Sequence, residues 1–350
     1  MFRAQRLSAQ SWNAEFYRCP SLLPLPPPPR LQRRTNLCPI DPNGFSPRGV
    51  YAPTITAFEK DETISLEGTR AFVRFLLAEG VDGLVPLGSS GEPLALSMME
   101  RKTVLDAVMD EAGAKVPVLG GVVEYSTRAA IEFGQHARSA GCKGLMVMAP
   151  YGFRPPKRDV FDHLRRVREA VGLPVMLYNV PGTSGIDLVP EEVQQLAEEG
   201  VVQSVKWSTA EVSRVRDTKL LCGPAFPVFV GNDLIAFEGL AVGADGWISC
   251  LPMIVPSKAV MLYRLLAVEK DLSAARELFY PLIPLIRLVF RAVSCPNNDP
   301  HWLAVTRESA LLRGIPVGES RKPLSAISRA HAEQLRELLV NLHEIECVTC

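Results

Sequence analysis

The sequence predicts a (β/α)8 barrel, preceded by a disordered N-terminal segment and followed by a C-terminal helical region. From Gly49 onward, eight short apolar runs alternate with amphipathic segments of helical length over about 215 residues. The eight units are of nearly equal size, which favours a closed ring of strands. A doubly wound sheet is the alternative, but no GxGxxG motif follows the first apolar run.

The predicted strands are stretches rich in β-branched and apolar residues. In chain order they are VYAPT (50–54), GLVPL (83–87), VPVLGG (116–121), GLMVM (144–148), PVMLY (174–178), VVQSVK (201–206), PVFVG (227–231) and DGWIS (245–249). With their helices they define a barrel over residues 49–268.

The segments between the strands have the period of amphipathic helices. Clear examples are 65–80, 127–141 and 190–200. Proline or acidic residues begin several of these helices and glycine follows their ends, as capping and the helix dipole favour. Three further helical stretches, at 271–293, 300–313 and 329–343, predict a helical region over 269–350 that packs beside the barrel.

Residues 1–48 differ in composition from the rest of the chain. They are rich in proline and arginine, and Glu15 and Asp41 are their only acids. This composition predicts disorder with a polyproline II stretch. Residues 1–18 have the Arg-rich, acid-poor character of an organelle transit peptide, whereas an unstructured extension or an upstream start codon is the favoured interpretation. We therefore expect a cytoplasmic protein, with mitochondrial-type targeting as the alternative.

The charge balance points to a small-molecule partner. Lys plus Arg equals Asp plus Glu at 38 each, so there is no basic footprint for nucleic acid or an anionic membrane surface. No apolar run approaches the roughly 20 residues that cross a bilayer, so we expect a soluble protein. Cys347 and Cys350 form a CxxC without a second pair, which is weak support for a metal or redox site.

Polar residues gather where the predicted strands end. Strand 2 ends in GSSGE (88–92), strand 5 in YNVPGTSG (178–185), strand 6 in Lys206, and strand 7 in GND (231–233). In a barrel of parallel strands the carboxyl ends all meet at one mouth, where the reactive groups of such enzymes lie. The sequence therefore places two glycine-bounded hydroxyl loops, a tyrosine and a lysine at one site.

This set of groups suits imine catalysis on a 2-oxo acid. A lysine at the end of a buried apolar strand is expected to have a lowered pKa, which supplies the neutral amine that attacks a carbonyl. Tyr178 can pass protons to and from the carbinolamine. Ser89 and Ser90, with the amides of their turn, can hold the substrate carboxylate.

Each residue alone also has an ordinary structural explanation. A lysine at a strand end is more often a snorkelling or ion-paired group. GSSGE could be a tight turn that caps a helix, with Glu92 favoured by the helix dipole. Tyr178 could be a half-buried tyrosine of the barrel. The functional interpretation rests on the fact that the lysine, the tyrosine and the GSSGE loop all lie at the ends of strands, namely strands 6, 5 and 2.

These residues resemble the dihydrodipicolinate synthase / N-acetylneuraminate lyase family. The family pattern is a G-[ST]-[ST]-G-E loop, a Y-N-[VI]-P turn and a lysine further along, which stand here as GSSGE (88–92), YNVP (178–181) and Lys206. Weaker matches are APYGFRP (149–155), GND (231–233), GADGWIS (243–249) and RKPL (321–324). The similarity runs from about Gly49 to the C-terminal helices.

The resemblance implies a barrel with C-terminal helices that assembles as a homotetramer, a dimer of dimers. It implies that Lys206 forms the Schiff base and that Tyr178 donates and accepts protons. Ser89 and Ser90 would bind the substrate carboxylate, with Ser90 also in the proton relay. Gly231 and Ile248 would line the bound pyruvyl unit. It implies no metal and no organic cofactor.

Two positions depart from the family pattern. In the loop after strand 4, a second tyrosine usually reaches into a neighbouring subunit's proton relay, and here that position is Gly152. In dihydrodipicolinate synthases an arginine follows the YNVP turn and grips a substrate carboxylate, and here the substrate-binding position is Thr183. Trp207 and Phe153 are candidate pocket walls, with barrel packing as the alternative for each.

The sequence therefore predicts a class I, lysine-imine lyase acting on a small 2-oxo acid of the pyruvate type. Aldol cleavage of a 2-keto-3-deoxy acid or 4-hydroxy-2-oxoglutarate is the leading reaction, because Thr183 replaces the synthase arginine. The alternatives are 4-hydroxy-tetrahydrodipicolinate synthase, and a dehydratase or deaminase that uses the same imine. A barrel that binds a 2-oxo acid without turning it over is a further alternative, supported by Gly152.

Overall fold

The protein folds as a (β/α)8 barrel, as the sequence predicts. The structure is a computed structural model that describes residues 45–294 and 299–346. The predicted disorder and targeting of residues 1–48 fall almost wholly outside this part of the chain, as does the Cys347–Cys350 pair. Within the two described ranges, no helix combines the length and apolarity that crossing a bilayer requires.

Eight parallel strands form the barrel wall. They are β1 (Gly49–Pro53), β2 (Gly83–Val85), β3 (Leu119–Val122), β4 (Gly144–Met148), β5 (Val175–Asn179), β6 (Ser204–Trp207), β7 (Val228–Val230) and β8 (Gly246–Trp247). Their order is β2-β1-β8-β7-β6-β5-β4-β3, and a parallel bridge from Leu84 to Val118 joins the two ends of this row. The sheet is therefore a closed ring, which excludes the doubly wound alternative.

Helices α1 to α8 surround the ring. They are α1 (Leu66–Ala78), α2 (Met98–Ala112), α3 (Thr127–Ser139), α4 (Lys157–Val171), α5 (Pro181–Ser184), α6 (Pro190–Glu198), α7 (Ser213–Cys222) and α8 (Ala236–Ala241). Short 3-10 turns lie at Ser89–Gly91, Pro93–Ala95 and Asp233–Ile235. The sequence explains the helix starts: Ser97 and Glu100 form a capping box at α2, and Pro190 begins α6.

Two helices after β8, α9 (Leu251–Ile254) and α10 (Pro256–Tyr263), lie within the range predicted for the barrel. The predicted C-terminal helices follow: α11 (Leu272–Phe279) and α12 (Ile283–Ser294), which divide the stretch 271–293, then α13 (Trp302–Leu311) and α14 (Arg329–Asn341). A π-helical segment at Arg264–Glu269 and a 3-10 turn at Tyr280–Leu282 flank α11. Apolar side chains of this region, among them Leu285, Val305 and Leu339, belong to the same buried cluster as the outer face of the strands.

The start of β6 differs from the sequence prediction. The apolar run suggests a strand from Val201, but the ladder begins at Ser204. The amides of Val201 and Val202 instead donate to the carbonyl of Leu196, at 2.9 and 3.3 Å, and so close the end of α6. The two valines are buried because they end helix α6 against the barrel. Residues buried at a helix end are as apolar as those of a strand, so the sequence pattern is the same for both.

Two buried clusters reflect the alternation of side chains along the strands. The inner cluster fills the barrel; it comprises Tyr51, Val85, Leu119, Val123, Met146, Met148, Met176, Tyr178, Phe229 and Ile248. The outer cluster lies between strands and helices and contains Val205 and Trp207. Lys206 stands between these two residues on β6, so its side chain points inward.

The amino-terminal end of the barrel is tied together by Asp245. Its carboxylate pairs with Arg48 and Lys219 and accepts the amide of Val228 at 2.8 Å. Phe45 packs against the inner cluster. The open end is therefore the opposite one, where the strands terminate.

Candidate active site

Lys206 and Tyr178 occupy facing positions on neighbouring strands inside the barrel. They are register partners between β5 and β6, and they are 5% and 6% exposed. The Lys206 Nζ lies 3.9 Å from the centroid of the Tyr178 ring. The structure thus brings the predicted amine and the predicted phenol together, shielded from bulk solvent.

The loop GSSGE (88–92), called here the serine loop, lies against Tyr178. Ser89 and Tyr178 share a hydrogen bond of 3.3 Å between Oγ and the phenol oxygen, and either atom can donate. Ser90, the next residue, is buried. The resemblance assigned Ser90 to the proton relay, whereas the hydroxyl that contacts Tyr178 is that of Ser89. The difference follows from the 3-10 turn at Ser89–Gly91, which directs successive side chains to different sides.

The serine loop is held in an unusual backbone conformation. Leu87 and Glu92, which flank it, have φ values of 59° and 52°, in the left-handed region that residues with a Cβ rarely adopt. Glu92 precedes the 3-10 turn Pro93–Ala95, but its side chain makes no capping hydrogen bond there. Its carboxylate forms a buried ion pair with Arg307 of α13. The hydroxyl of Thr56 donates to the carbonyl of Gly91 at 2.7 Å.

Gly231 gives Lys206 the space that it occupies. A Cβ at Gly231 would lie 2.8 Å from Cε of Lys206 and 2.2 Å from Oγ of Ser208. The stem of the lysine therefore passes directly over the glycine. Ile248 is fully buried in the inner cluster with Tyr178, at the end of β8. Gly231 thus lies against the Lys206 side chain, and Ile248 shares the buried inner cluster with Tyr178.

Thr183 stands at the rim and is exposed, on the short helix α5 that follows β5. A cation from the preceding loop reaches the same region. The side chain of Arg154 lies against Gly185, since a Cβ there would fall 2.4 Å from Nε of the arginine. Gly185 has φ of 71°, so glycine suits both its backbone and this close approach. A positively charged side chain therefore lies against Gly185, two residues along the chain from Thr183.

The remaining candidate residues lie either in the barrel wall or at its rim. Trp207 is fully buried outside the barrel, where its indole Nε1 donates to Thr218 of α7 at 3.1 Å, so it is packing and not a pocket wall. Phe153 is 87% exposed and stacks edge-on against Tyr125, with ring centroids 5.5 Å apart. Gly152 has φ of 85°, and a Cβ placed there would have no other atom within 4 Å, so the place of the second tyrosine is open.

Asp233 supports the last strand from a fully buried position. Its carboxylate accepts the indole N–H of Trp247 at 2.9 Å and the amides of Cys250 and Leu251, both at 3.1 Å. Burial raises the pKa of Asp233 to about 6, and these hydrogen bonds oppose the rise. Asp233 fixes the turn after Ile248, a role that the GND motif in the sequence did not reveal.

Metal-binding residue types do not gather at the mouth. In the described part of the chain, no three side chains of His, Cys, Asp or Glu are grouped so that they could hold a metal ion. The polar groups of the site are an amine, a phenol and hydroxyls. These are the groups of imine and proton-transfer chemistry.

Comparison with known families matches this geometry. The model of the Dihydrodipicolinate synthetase family matches residues 46–342, which span the barrel and the C-terminal helices. The chain belongs to this family. The resemblance seen in GSSGE, YNVP and Lys206 is therefore confirmed, and membership makes the protein a class I lyase of the lysine-imine type.

Individual relatives align over nearly their whole length. The 4-hydroxy-tetrahydrodipicolinate synthase of Methanopyrus kandleri is 35% identical over 301 residues, which are 85% of this chain and 97% of the relative. That of Methanothrix thermoacetophila is 32% identical over 299 residues, or 85% and 98% of the two chains. The barrel and the C-terminal helices are therefore shared as one continuous unit.

Solved structures of the family superpose on the barrel. A putative dihydrodipicolinate synthetase from Pseudomonas aeruginosa has a TM-score of 0.79 at 33% identity and covers 85% of this chain and 100% of its own. A prophage protein of the family from E. coli K12, solved in complex with pyruvate, has a TM-score of 0.79 at 31% identity, with coverages of 85% and 99%. The (β/α)8 dihydrodipicolinate synthetase fold is therefore shared along the described chain.

Proposed function

We propose that the protein uses pyruvate, or a 2-oxo acid that yields pyruvate, through an imine on Lys206. The observation that supports this most directly is the placement of the Lys206 amine on the Tyr178 ring, with the Ser89 hydroxyl 3.3 Å from the phenol. An amine, a proton carrier and a hydroxyl loop for the carboxylate are the minimum that the chemistry needs. The relative solved with pyruvate belongs to the same family.

The steps follow from these groups. The Lys206 amine attacks the ketone carbon, and Tyr178 protonates the departing oxygen so that water leaves and the imine forms. The protonated imine withdraws electrons, so a proton leaves the neighbouring carbon and an enamine results. The enamine carbon then forms a bond to an aldehyde carbon, or that bond breaks in the reverse direction. Hydrolysis releases the product and restores the amine.

The imine itself supplies the electron sink, so the reaction needs no metal and no organic cofactor. Ser89 and Ser90 would bind the carboxylate through their hydroxyls and the amides of the turn. Gly231 and Ile248 would enclose the pyruvyl unit beside Lys206, and Thr183 would meet the distal part of the substrate at the rim. Activity that survives exhaustive chelation is the expected result, and activity that EDTA abolishes would contradict it.

The first reaction to test is condensation of pyruvate with aspartate semialdehyde, as in a 4-hydroxy-tetrahydrodipicolinate synthase. The relatives from Methanopyrus kandleri and Methanothrix thermoacetophila carry this name. Arg154, which lies against Gly185 near Thr183, would bind the carboxylate of the second substrate in this reaction. The comparisons thus favour this reaction over the aldol cleavage that the sequence favoured.

Aldol cleavage is the second candidate, and Thr183 supports it. An exposed threonine in place of an arginine suits a substrate whose distal part carries hydroxyl groups. One assay separates the two reactions: the purified protein is given pyruvate with aspartate semialdehyde, and in parallel a panel of 2-keto-3-deoxy acids and 4-hydroxy-2-oxoglutarate. Pyruvate consumption in the first supports the synthase, and pyruvate release in the second supports the aldolase.

The decisive test of the imine is reduction with borohydride. Incubation with pyruvate and borohydride should leave a stable adduct on Lys206, located by peptide mass spectrometry. No adduct at any pyruvate concentration would refute the proposed function. Release of water or ammonia without carbon–carbon cleavage would assign the imine to a dehydratase or deaminase. Thermal stabilisation by pyruvate without turnover of any substrate would indicate a binding barrel.

We extend the proposal to assembly. The family resemblance predicts a dimer of dimers, and the exposed pair of Tyr125 and Phe153 at the rim offers an apolar contact for a second copy. Sedimentation equilibrium measures the state directly. A tetramer is the expected result and a monomer at micromolar concentration contradicts it.

A further inference from the structure

Arg307 connects the C-terminal region to the serine loop at the barrel mouth. Its Nε donates to Oε1 of Glu92 at 3.0 Å, and its Nη2 pairs with the same oxygen. The two side chains are only 3% and 6% exposed. Glu92 ends the GSSGE loop, so the arginine acts on the loop that carries both candidate carboxylate-binding serines.

The guanidinium is fixed on its other sides as well. Its Nη2 donates to the carbonyl of Thr56 at 2.6 Å, and its Nη1 donates to the carbonyl of Val317 at 2.9 Å. The Thr56 hydroxyl in turn donates to the carbonyl of Gly91. Arg307 and Thr56 therefore hold adjacent residues of the loop, from the C-terminal region and from the segment after β1.

The loop needs such support for two physical reasons. The backbone of Leu87 and of Glu92 is in the left-handed region, which persists in residues other than glycine only where the surroundings enforce it. Glu92 is also a buried carboxylate two residues from Ser90. Left unpaired, its negative charge would oppose the carboxylate of a substrate bound at the serines.

We propose that Arg307 is a positioning residue for substrate binding. It locks the GSSGE loop in the conformation that presents Ser89 and Ser90, and it cancels the charge of Glu92 so that the loop can accept an anion. This proposal rests on the proposed function, because it takes the loop to be the carboxylate site. Arg307 itself does not touch the reacting atoms.

Two carbonyl compounds separate this role from a general effect on folding. Pyruvate carries a carboxylate, whereas hydroxyacetone offers a ketone without one. In Arg307→Met, the pyruvate concentration that gives half-maximal borohydride trapping should rise at least about tenfold, which corresponds to one lost charge-assisted interaction. Trapping with hydroxyacetone, measured per folded molecule, should stay within about twofold of the unchanged protein.

Arg313 provides a matched control. It is a partly buried arginine that, like Arg307, pairs with a glutamate (Glu344, at 2.8 Å), donates to backbone carbonyls and lies over a phenylalanine ring. These partners all lie outside the serine loop. Arg313→Met should lower the melting temperature as Arg307→Met does, and should leave the pyruvate half-saturation unchanged.

If Arg307→Met does not fold, two milder variants, Arg307→Lys and Thr56→Val, test the same role. Lysine keeps a positive charge opposite Glu92 but cannot span three acceptors, and valine removes only the bond to Gly91. Both should raise the pyruvate half-saturation while hydroxyacetone is unaffected. Equal changes for the two compounds, or unchanged pyruvate binding in the variants that fold, would overturn the positioning role.

The two proposals fail in different ways. If the unchanged protein traps neither compound, the imine chemistry on Lys206 is wrong. If it traps pyruvate and the Arg307 variants trap pyruvate with the same half-saturation, the imine stands and the role of Arg307 is wrong.

Discussion

Lys206 and Tyr178 face each other across two adjacent strands, with the amine nitrogen 3.9 Å from the centre of the phenol ring. Because both backbones are fixed by the parallel ladder, the relative position of the two side chains depends on the register of β5 and β6. A pair held in this way needs little rearrangement to share a proton through a bound substrate.

Lys206→Ala should abolish the borohydride-reduced pyruvate adduct, because the variant lacks the nitrogen that forms the imine. Lys157→Ala is the control, since Lys157 is exposed at the start of α4 and pairs with Glu192. The control should retain both the adduct and turnover. Full activity in Lys206→Ala would show that the mechanism is wrong.

Tyr178→Phe should leave pyruvate binding largely intact and slow turnover by roughly 10²–10⁴-fold, the usual contribution of a positioned acid or base. Tyr51→Phe is a matched control, because Tyr51 is another buried tyrosine of the inner cluster and lies on β1. Single-turnover and steady-state rates would separate imine formation from the later steps. A loss in Tyr51→Phe as large as that in Tyr178→Phe would point to packing rather than proton transfer.

Gly231→Ala should impair imine formation without a change in the chemical groups of the site. The added methyl would fall 2.2 Å from Oγ of Ser208 and 2.8 Å from Cε of Lys206, so both side chains must shift. A displacement of about 1 Å at a reacting group costs about 10²-fold in rate. Gly182→Ala is the control in the loop after β5, where a Cβ meets no atom within 4 Å. Trapping rates at saturating pyruvate check the prediction, and equal rates for both variants would contradict it.

His163 should make the folding free energy depend on pH below neutrality. Burial lowers its pKa to about 4, although Asp162 opposes this, and Nε2 has no hydrogen-bond partner in the described chain. Unfolded histidine titrates near 6.5, so between about pH 6.5 and 4 the unfolded state binds a proton that the folded state refuses. Stability should therefore fall across this window as pH decreases, by up to about 3 kcal/mol.

Urea unfolding at pH 7 and pH 4.5 measures this loss, and His163→Gln isolates its source. Glutamine can still bond to Thr127, which contacts Nδ1 of the histidine at 2.9 Å, but it does not titrate. The variant should lose clearly less stability than the unchanged protein between the two pH values. Equal losses would mean that other groups control the acid response.

The repeating strand–helix units and the three motifs could be predicted from the sequence because each is formed by residues close together in the chain. A strand of the barrel and its helix carry their own periodicity, and GSSGE and YNVP lie within a few residues. The alternation on β6 also decides Trp207: it is adjacent to Lys206 and must face outward if the lysine faces inward. The sequence interpretation left that choice open although the strand period already contained the answer.

The start of β6 and the contacts that support the serine loop could not be predicted from local sequence patterns. Val201 and Val202 are apolar in either role, so composition cannot tell a helix end from a strand start. Arg307 and Glu92 are 215 positions apart in the chain, and no local pattern marks such a pair. The rim position of Arg154 against Gly185 likewise depends on how two loops meet.

The side-chain alternation of β6 constrains how this segment can vary. Inserting or deleting one residue before Lys206 would exchange the two faces, so that the indole would enter the barrel and the ammonium would lie in the apolar layer against α7. A single insertion or deletion would therefore remove the nucleophilic amine from the barrel and also bury its positive charge without a partner. We therefore expect the segment from Ser204 to Trp207 to tolerate exchanges of individual side chains far better than any change in its length.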